Sequence, residues 1–115
     1  MTQQMKLHPQ PFALIAQGLK TIELRLNDEK RQQLRVGDVI EFSLYTDPSK
    51  TLSAQVVALH HFDSFEQLYR VLPLERCGYL PHEISSANPQ DMEQYYSRSR
   101  QEKYGVLGIE IILER

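Results

Sequence analysis

Hydrophobic and polar residues alternate along several stretches of the chain. Such alternation predicts strands, because successive side chains of a strand point to opposite faces. In the clearest case, Thr21–Leu26, three aliphatic residues fall on one face and Thr21, Glu23 and Arg25 fall on the other. The other predicted strands are Met5–Leu7, Val39–Leu44, Leu52–Phe62 and Tyr104–Leu113.

Helical spacing of apolar residues predicts three short helices between these strands. The first begins around Pro9 and stops at Gly18, a natural helix end. The second follows the capping residue Ser64 and ends before Pro73, and the third begins at Asn88, where a capping side chain precedes a proline.

The order of these elements indicates an α+β fold. About five strands with short connections favour antiparallel pairing, and we expect the sheet to curl into a small barrel flanked by the short helices. No internal repeat, low-complexity tract or linker is visible, so residues 1–115 are predicted to form one domain.

Composition and charge narrow the class of protein. The 115 residues are 41% hydrophobic and 24% charged, and the formal net charge is −2. A slightly acidic chain is unlike proteins that grip duplex nucleic acid through an extended positive surface, although a local basic cleft remains compatible with it.

The single cysteine, Cys77, excludes an intrachain disulfide framework and favours a reducing compartment. No apolar run is long enough to span a bilayer, and the N-terminus lacks the pattern of a signal peptide. We therefore expect a cytoplasmic protein without a membrane partner.

The candidate chemistry lies in Lys20, Thr21, Glu23 and Arg25, which place four different polar groups close together. Glu23 and Arg25 share a strand face, where they fit either a weak surface ion pair or a ligand site. Lys20 fits either a solvated lysine or a cation, base or nucleophile in a cleft.

Other candidates are weaker. Lys30 and Arg31 fit a solvated turn or additional phosphate contacts, and Tyr95 fits hydrophobic packing or base stacking. His60 and His61 are adjacent on a strand and point to opposite faces, so they do not form a metal site together. The sequence predicts neither a metal nor a cofactor.

The motif Gly18-x-Lys20-Thr21-x-Glu23-x-Arg25, followed by Val36-Gly37-Asp38 at the start of a strand, resembles the ASCH domain family, a group of PUA-like β-barrels. Later segments add to the resemblance, which extends from about Met5 to Leu113: Val57–Phe62, Tyr95-Tyr96 and Tyr104-Gly105-Val106.

The resemblance implies a pseudo-barrel with a cleft beside the Lys20–Arg25 segment, and a role in RNA or nucleotide recognition. Some small bacterial relatives are amidohydrolases that act on acylated cytidine, and ribonuclease activity has been proposed within the family. The amidohydrolase branch has threonine where this chain has Glu23, and a carboxylate does not have the chemistry of a hydroxyl.

We therefore predict a domain that binds RNA or a modified nucleoside or nucleotide, with Thr21, Arg25, Lys30, Arg31 and Tyr95 contacting the ligand. The alternative is a hydrolase for acylated nucleosides or RNA, in which Lys20 and Glu23 are catalytic. A third hypothesis is a protein-interaction module whose charged strand binds a partner. The sequence does not determine the oligomeric state.

Overall fold

A five-stranded sheet, curled into a half-barrel, organises the computed structural model, which describes residues 1–114. The strands are β1 (Thr2–Leu7), β2 (Ile22–Leu26), β3 (Val39–Leu44), β4 (Asp47–Phe62) and β5 (Val106–Leu113). Their order in the sheet is β1-β3-β4-β5-β2. The predicted α+β class and curled sheet are confirmed.

Within residues 1–114, three α-helices and four 3₁₀ turns surround the sheet. The helices are α1 (Pro9–Ala16), α2 (Phe65–Val71) and α3 (Arg98–Tyr104). The 3₁₀ turns are Arg31–Gln33, Leu74–Arg76, Pro81–Ser86 and Pro89–Gln94. None of the helices within residues 1–114 is long and apolar enough to cross a membrane.

Strand pairing is antiparallel except between β1 and β3, which run parallel with Leu7 opposite Leu44. Strand β5 lies between β4 and β2, and it is buried on both faces. A bulge in β4 between Val56 and Ala58 interrupts the register with β5 and increases the local twist of the sheet.

The core has two parts on opposite faces of the sheet. One contains Met5, Ile40, Phe42, Val56 and Ile109, with Ile15 of α1 packed against it. The other contains the apolar face of β2 and the buried face of α2: Ile22, Leu24, Leu26, Phe65 and Leu68. The polar face of β2 is also covered, which buries Glu23 and leaves Arg25 partly buried.

Several element boundaries differ from the sequence prediction. Strand β4 begins at Asp47 rather than Leu52, because the turn from β3 is confined to Tyr45 and Thr46. The segment after Asn88 is a 3₁₀ turn, not an α-helix. Residue Tyr104 ends α3, which the sequence did not predict, and does not begin the last strand.

Candidate functional site

A cleft of about 420 Å³ opens between β2 and the segment that follows α2. The C-terminal end of β1 and the start of α1 form one wall, and residues of the 77–96 segment form the other. The volume falls within the range of small-molecule sites, about 300–1,000 Å³. The residues lining this cleft that carry charged side chains are Lys6, Lys20, Glu23, Arg25, Glu83 and Asp91.

The floor of the cleft is a carboxylate held between two cations. Lys20 Nζ lies 2.8 Å from Glu23 Oε1, and Arg25 Nη2 lies 2.9 Å from Glu23 Oε2. Arg25 Nε also donates a hydrogen bond to Oε2 at 3.0 Å. We call Lys20, Glu23 and Arg25 the ionic floor; its two cations and one anion leave one positive charge.

Burial distinguishes the ionic floor from a surface ion pair. Glu23 is only 4% exposed, and a buried carboxylate by itself would have a raised pKa. The charges of Lys20 and Arg25 outweigh this burial effect, and they lower the pKa of Glu23 from 4.5 to about 2. Glu23 is therefore a carboxylate at neutral pH, and it is a weak proton acceptor.

Local backbone structure positions Lys20. The chain leaves α1 through Gly18, whose φ of +77° is the left-handed region that glycine favours, and the backbone N–H groups of Leu19 and Lys20 both donate to the Leu14 carbonyl. The Thr21 N–H then donates to the Arg76 carbonyl at 2.9 Å. These bonds fix the entrance to β2 and direct Lys20 toward Glu23.

Gly78 makes room for the Lys20 side chain. Its φ is +106°, and a Cβ at this position would lie 3.1 Å from Lys20 Cδ and 3.6 Å from Nζ. The glycine thus allows the aliphatic stem of Lys20 to lie against the loop after the Leu74–Arg76 turn. The loop and the ionic floor are therefore sterically coupled.

Both cations keep donors for a ligand. Among residues 1–114, Lys20 pairs with Glu23 alone, so two of its three N–H groups remain for a ligand. Arg25 Nη2 donates to the Lys6 carbonyl at 2.8 Å, whereas no described residue accepts from Nη1. The cleft therefore offers N–H groups of two cations beside a carboxylate that is already paired.

On the opposite wall, two tyrosine hydroxyls and a carboxylate are connected by hydrogen bonds. The hydroxyl oxygens of Tyr69 and Tyr79 are 2.7 Å apart, and the Tyr79 O–H donates to Asp91 Oδ2 at 3.1 Å. Burial raises the pKa of Tyr69 to about 12, and burial together with its hydrogen bonds raises the pKa of Tyr79 further. These hydroxyls therefore stay protonated at neutral pH.

The structure places the other candidate residues in different surroundings. Tyr95 lines the cleft and is half exposed. Lys30 and Arg31 do not line it: Lys30 is exposed, and Arg31 Nη1 lies 3.7 Å from Asp28 Oδ2. Their contact with a ligand that extends beyond the cleft stays a prediction.

Thr21 belongs to a polar network outside the cleft lining. Its hydroxyl accepts from Arg76 Nε at 2.8 Å, and Arg76 Nη2 lies 3.4 Å from Glu110 Oε2. His60 Nε2 and Glu110 Oε1 are 2.7 Å apart, and this hydrogen bond is the main cause of the lowered pKa of Glu110. Because β2 begins at Ile22, strand alternation does not determine where Thr21 points.

Cys77 lines the cleft but is not a reactive thiol. Its side chain is buried and donates to the Pro73 carbonyl at 3.5 Å, and burial raises its pKa to about 11. Among residues 1–114, no three His, Cys, Asp or Glu side chains come close enough to hold a metal ion.

Sequence reasoning missed Tyr69, Tyr79, Asp91 and Lys6 as cleft residues. These residues are far from β2 in the chain, except Lys6, and no short motif connects them to it. Only the packing of the 77–96 segment across the end of the sheet brings this wall opposite the ionic floor.

Comparisons with known proteins agree with this architecture. A family model described as the ASCH domain matches residues 5–114, which confirms the resemblance seen in the Lys20–Arg25 motif. No curated protein sequence matches the chain.

Three solved structures share the fold. The hypothetical protein PH0355 is 33% identical, with a TM-score of 0.82 over 99% of this chain and 100% of that one. Protein PF0455 from Pyrococcus furiosus is 35% identical, with a TM-score of 0.73 over 98% and 97%. A ZmASCH mutant from Zymomonas mobilis is 16% identical, with a TM-score of 0.63 over 99% and 68%, and shows the fold alone.

Proposed function

Because the chain belongs to the ASCH domain family, we propose that its cleft binds a nucleotide unit, either as a free nucleotide or modified nucleoside or within RNA. The observation that carries the proposal is the ionic floor: a buried carboxylate that holds two cations in place while each keeps unused donors. Preorganised donors of this kind favour an anionic group, because Glu23 already holds both cations in position before the ligand arrives.

The anionic end of the ligand belongs at Lys20 and Arg25. The positive charge left over on the ionic floor attracts a phosphate, and the planar guanidinium of Arg25 suits phosphate oxygens. Lys6, in the wall next to the ionic floor, adds a further cation at an exposed position.

The opposite wall supports a nucleotide over a simple phosphate ion. Asp91 and Glu83 each have one carboxylate oxygen that accepts from the fold, since Asp91 Oδ2 accepts from Tyr79 and Glu83 Oε1 accepts from the Leu80 N–H at 2.8 Å. The other oxygens, Asp91 Oδ1 and Glu83 Oε2, accept no hydrogen bond from residues 1–114. These acceptors suit the N–H groups at the edge of a nucleobase.

Calorimetric titration with nucleoside 5′-monophosphates and the matching nucleosides tests the proposal. Lys20→Met keeps the aliphatic stem and removes the charge, and we expect it to lower affinity for the monophosphate by about 10- to 100-fold, the effect of losing a hydrogen bond to a charged group. Lys30→Met is the matched control, because it removes an exposed lysine outside the cleft lining. It should leave monophosphate binding unchanged.

Two results would contradict the proposal: wild-type protein that binds no nucleotide or nucleoside, or a Lys20→Met variant that folds and binds as well as wild type. Lys30→Met also tests a longer RNA path. If Lys30→Met and Arg31→Met weaken binding of an oligonucleotide while mononucleotide binding is unchanged, the ligand extends over the 30–31 turn.

The alternative function is hydrolysis of an acylated nucleoside in the same cleft. Glu23 would act as base while the water oxygen bonds to the acyl carbon, and the Lys20 ammonium would stabilise the resulting oxyanion. The bond between the acyl carbon and the exocyclic nitrogen would then break, the nitrogen would take the proton, and cytidine and a carboxylic acid would leave. The lowered pKa of Glu23 makes it a weak base, which favours binding over this reaction.

Incubation with acylated cytidine tests the alternative, which requires that Lys20→Ala and Glu23→Gln both abolish release of cytidine. It fails if the wild-type protein releases none.

A further inference from the structure

Five aromatic rings form a continuous row from the protein surface to the core. The neighbouring ring centroids are separated by 5.5 Å for Tyr45 and His8, 6.3 Å for His8 and Tyr95, 6.5 Å for Tyr95 and Tyr96, and 6.2 Å for Tyr96 and Phe65. These distances lie within the range of interacting aromatic pairs, about 4.5–7 Å.

The inner end of the row is ordinary core packing, whereas the outer end is not. Phe65 is 1% exposed, but Tyr45 is 61% exposed and Tyr95 is 54% exposed. His8 is exposed as well, so Tyr45, His8 and Tyr95 present aromatic surface to solvent. We call these three residues the aromatic ledge.

Strand pairing fixes the position of the aromatic ledge. Leu7 of β1 is paired with Leu44 of β3, and the N–H of Tyr45 donates to the Leu7 carbonyl at 2.8 Å. Because β1 and β3 are parallel, the residues that follow this pair, His8 and Tyr45, emerge side by side. Tyr95 approaches from the end of the Pro89–Gln94 turn.

The aromatic ledge continues directly into the cleft. His8 and Tyr95 line the cleft, and Tyr45 lies just outside its lining. The carbonyl of Lys6, two residues before His8, accepts from Arg25 of the ionic floor at 2.8 Å. The Lys6 carbonyl, which contacts the ionic floor, and His8 of the aromatic ledge are thus separated by two residues of extended strand, or about 7 Å.

We propose that the aromatic ledge stacks a second base, next to the nucleotide unit held in the cleft, so that the ligand is single-stranded nucleic acid of at least two nucleotides. The proposal rests on nucleotide binding in the cleft. Exposed aromatic rings beside cationic side chains are the usual means of holding unpaired bases, and stacking accepts any base because every base has a π-face. A free mononucleotide has only one base and therefore gains nothing from a second stacking surface.

Titration with a 5′-phosphorylated ribodinucleotide and the matching ribomononucleotide tests the aromatic ledge. Stacking on an aromatic side chain contributes about 5- to 100-fold in affinity per base, so the dinucleotide should bind more tightly by that factor. Tyr45→Ala should remove this gain and leave mononucleotide binding unchanged, because Tyr45 does not line the cleft. Tyr45→Phe, which retains the ring, should keep the gain.

The outcomes separate this inference from the proposed function. Equal affinity of wild type for the two ligands, or a gain that survives Tyr45→Ala, overturns the aromatic ledge and leaves cleft binding intact. Failure of the wild type to bind either ligand overturns both. A gain for the ribodinucleotide but not for its deoxyribose counterpart assigns the ligand to RNA, whereas a gain for both assigns it to single strands of either sugar.

Discussion

Glu23 determines the charge arrangement of the cleft. It is buried, and its two oxygens separate two cations that would otherwise repel each other. A carboxyl with a pKa lowered by folding stabilises the folded state while it is ionised. This contribution is complete above pH 4.5 and is lost as the pH falls toward about 2, the pKa of Glu23 in the folded protein.

We predict that Glu23→Gln destabilises the protein at neutral pH by about 3–5 kcal/mol, because it leaves two cations with no compensating charge. The loss of stability between about pH 5 and pH 2.5 should also be smaller in the variant, since the titrating carboxyl is absent. Urea unfolding at several pH values measures both effects. Glu114→Gln, at an exposed position, is the control and should keep the wild-type pH profile. A Glu23→Gln variant as stable as wild type at neutral pH would contradict the prediction.

Gly78 and Gly37 form a matched pair for testing the position of Lys20. Both have positive φ, +106° and +98°, but a Cβ on Gly78 meets Lys20 whereas a Cβ on Gly37 meets nothing within 4 Å. We predict that alanine at either position costs about 1–2 kcal/mol of stability from backbone strain. Only Gly78→Ala should also weaken nucleotide binding, because it displaces the Lys20 stem. Equal binding by the two variants, measured by calorimetry, would show that Gly78 does not position Lys20.

At the scale of elements, the alternation of hydrophobic and polar residues predicted the strands well where one face of the strand is apolar. The apolar face of β2, formed by Ile22, Leu24 and Leu26, is in the core as expected. The sequence gives no sign that the polar face of β2 is also covered, because the covering segment is remote in the chain. The helix α3 was missed for a related reason: Arg98–Tyr104 has no apolar stripe, and none of its residues is buried.

Helix α2 was predicted from its cap as well as its stripe. The Ser64 hydroxyl accepts from the Gln67 N–H at 3.2 Å, and the Gln67 side chain accepts from the Asp63 N–H at 3.1 Å. This reciprocal arrangement fixes the start of a helix of only seven residues, and the helix packs Phe65 and Leu68 onto the core.

We predict that Ser64→Ala lowers the free energy of unfolding by about 1 kcal/mol, because the Gln67 N–H at the helix start loses its acceptor. Ser64→Asp keeps an acceptor at the cap and should restore most of the loss. Thermal and urea unfolding of the three proteins give the comparison. Equal destabilisation by alanine and aspartate would show that the hydroxyl acts through something other than capping.

At the scale of the molecule, the sequence locates the ionic floor of the cleft but not the wall that the 77–96 segment forms. Lys20, Glu23 and Arg25 are close together in the chain, so strand geometry alone suggests that they can meet. Tyr79 and Asp91 reach the same cleft only because 3₁₀ turns fold the 77–96 segment across the sheet. The Asn88 cap marks where one of these turns begins, but the position of the segment over the cleft depends on tertiary contacts that the local pattern does not encode.

The charge distribution of the whole molecule sets the final prediction. With a net charge of −2, the protein lacks an overall positive field, and the cations that line the cleft are Lys6, Lys20 and Arg25. Each phosphate contact contributes about 0.7 to the logarithmic salt slope for a single strand, so three contacts predict a slope near −2 for a short oligonucleotide. Titrations between about 50 and 200 mM salt measure this slope, and Lys20→Met should make it shallower by about 0.7. If the slope is much steeper and Lys30→Met reduces it, the basic 30–31 turn belongs to the binding surface. If the slope is near zero, the cations of the cleft do not contact phosphate.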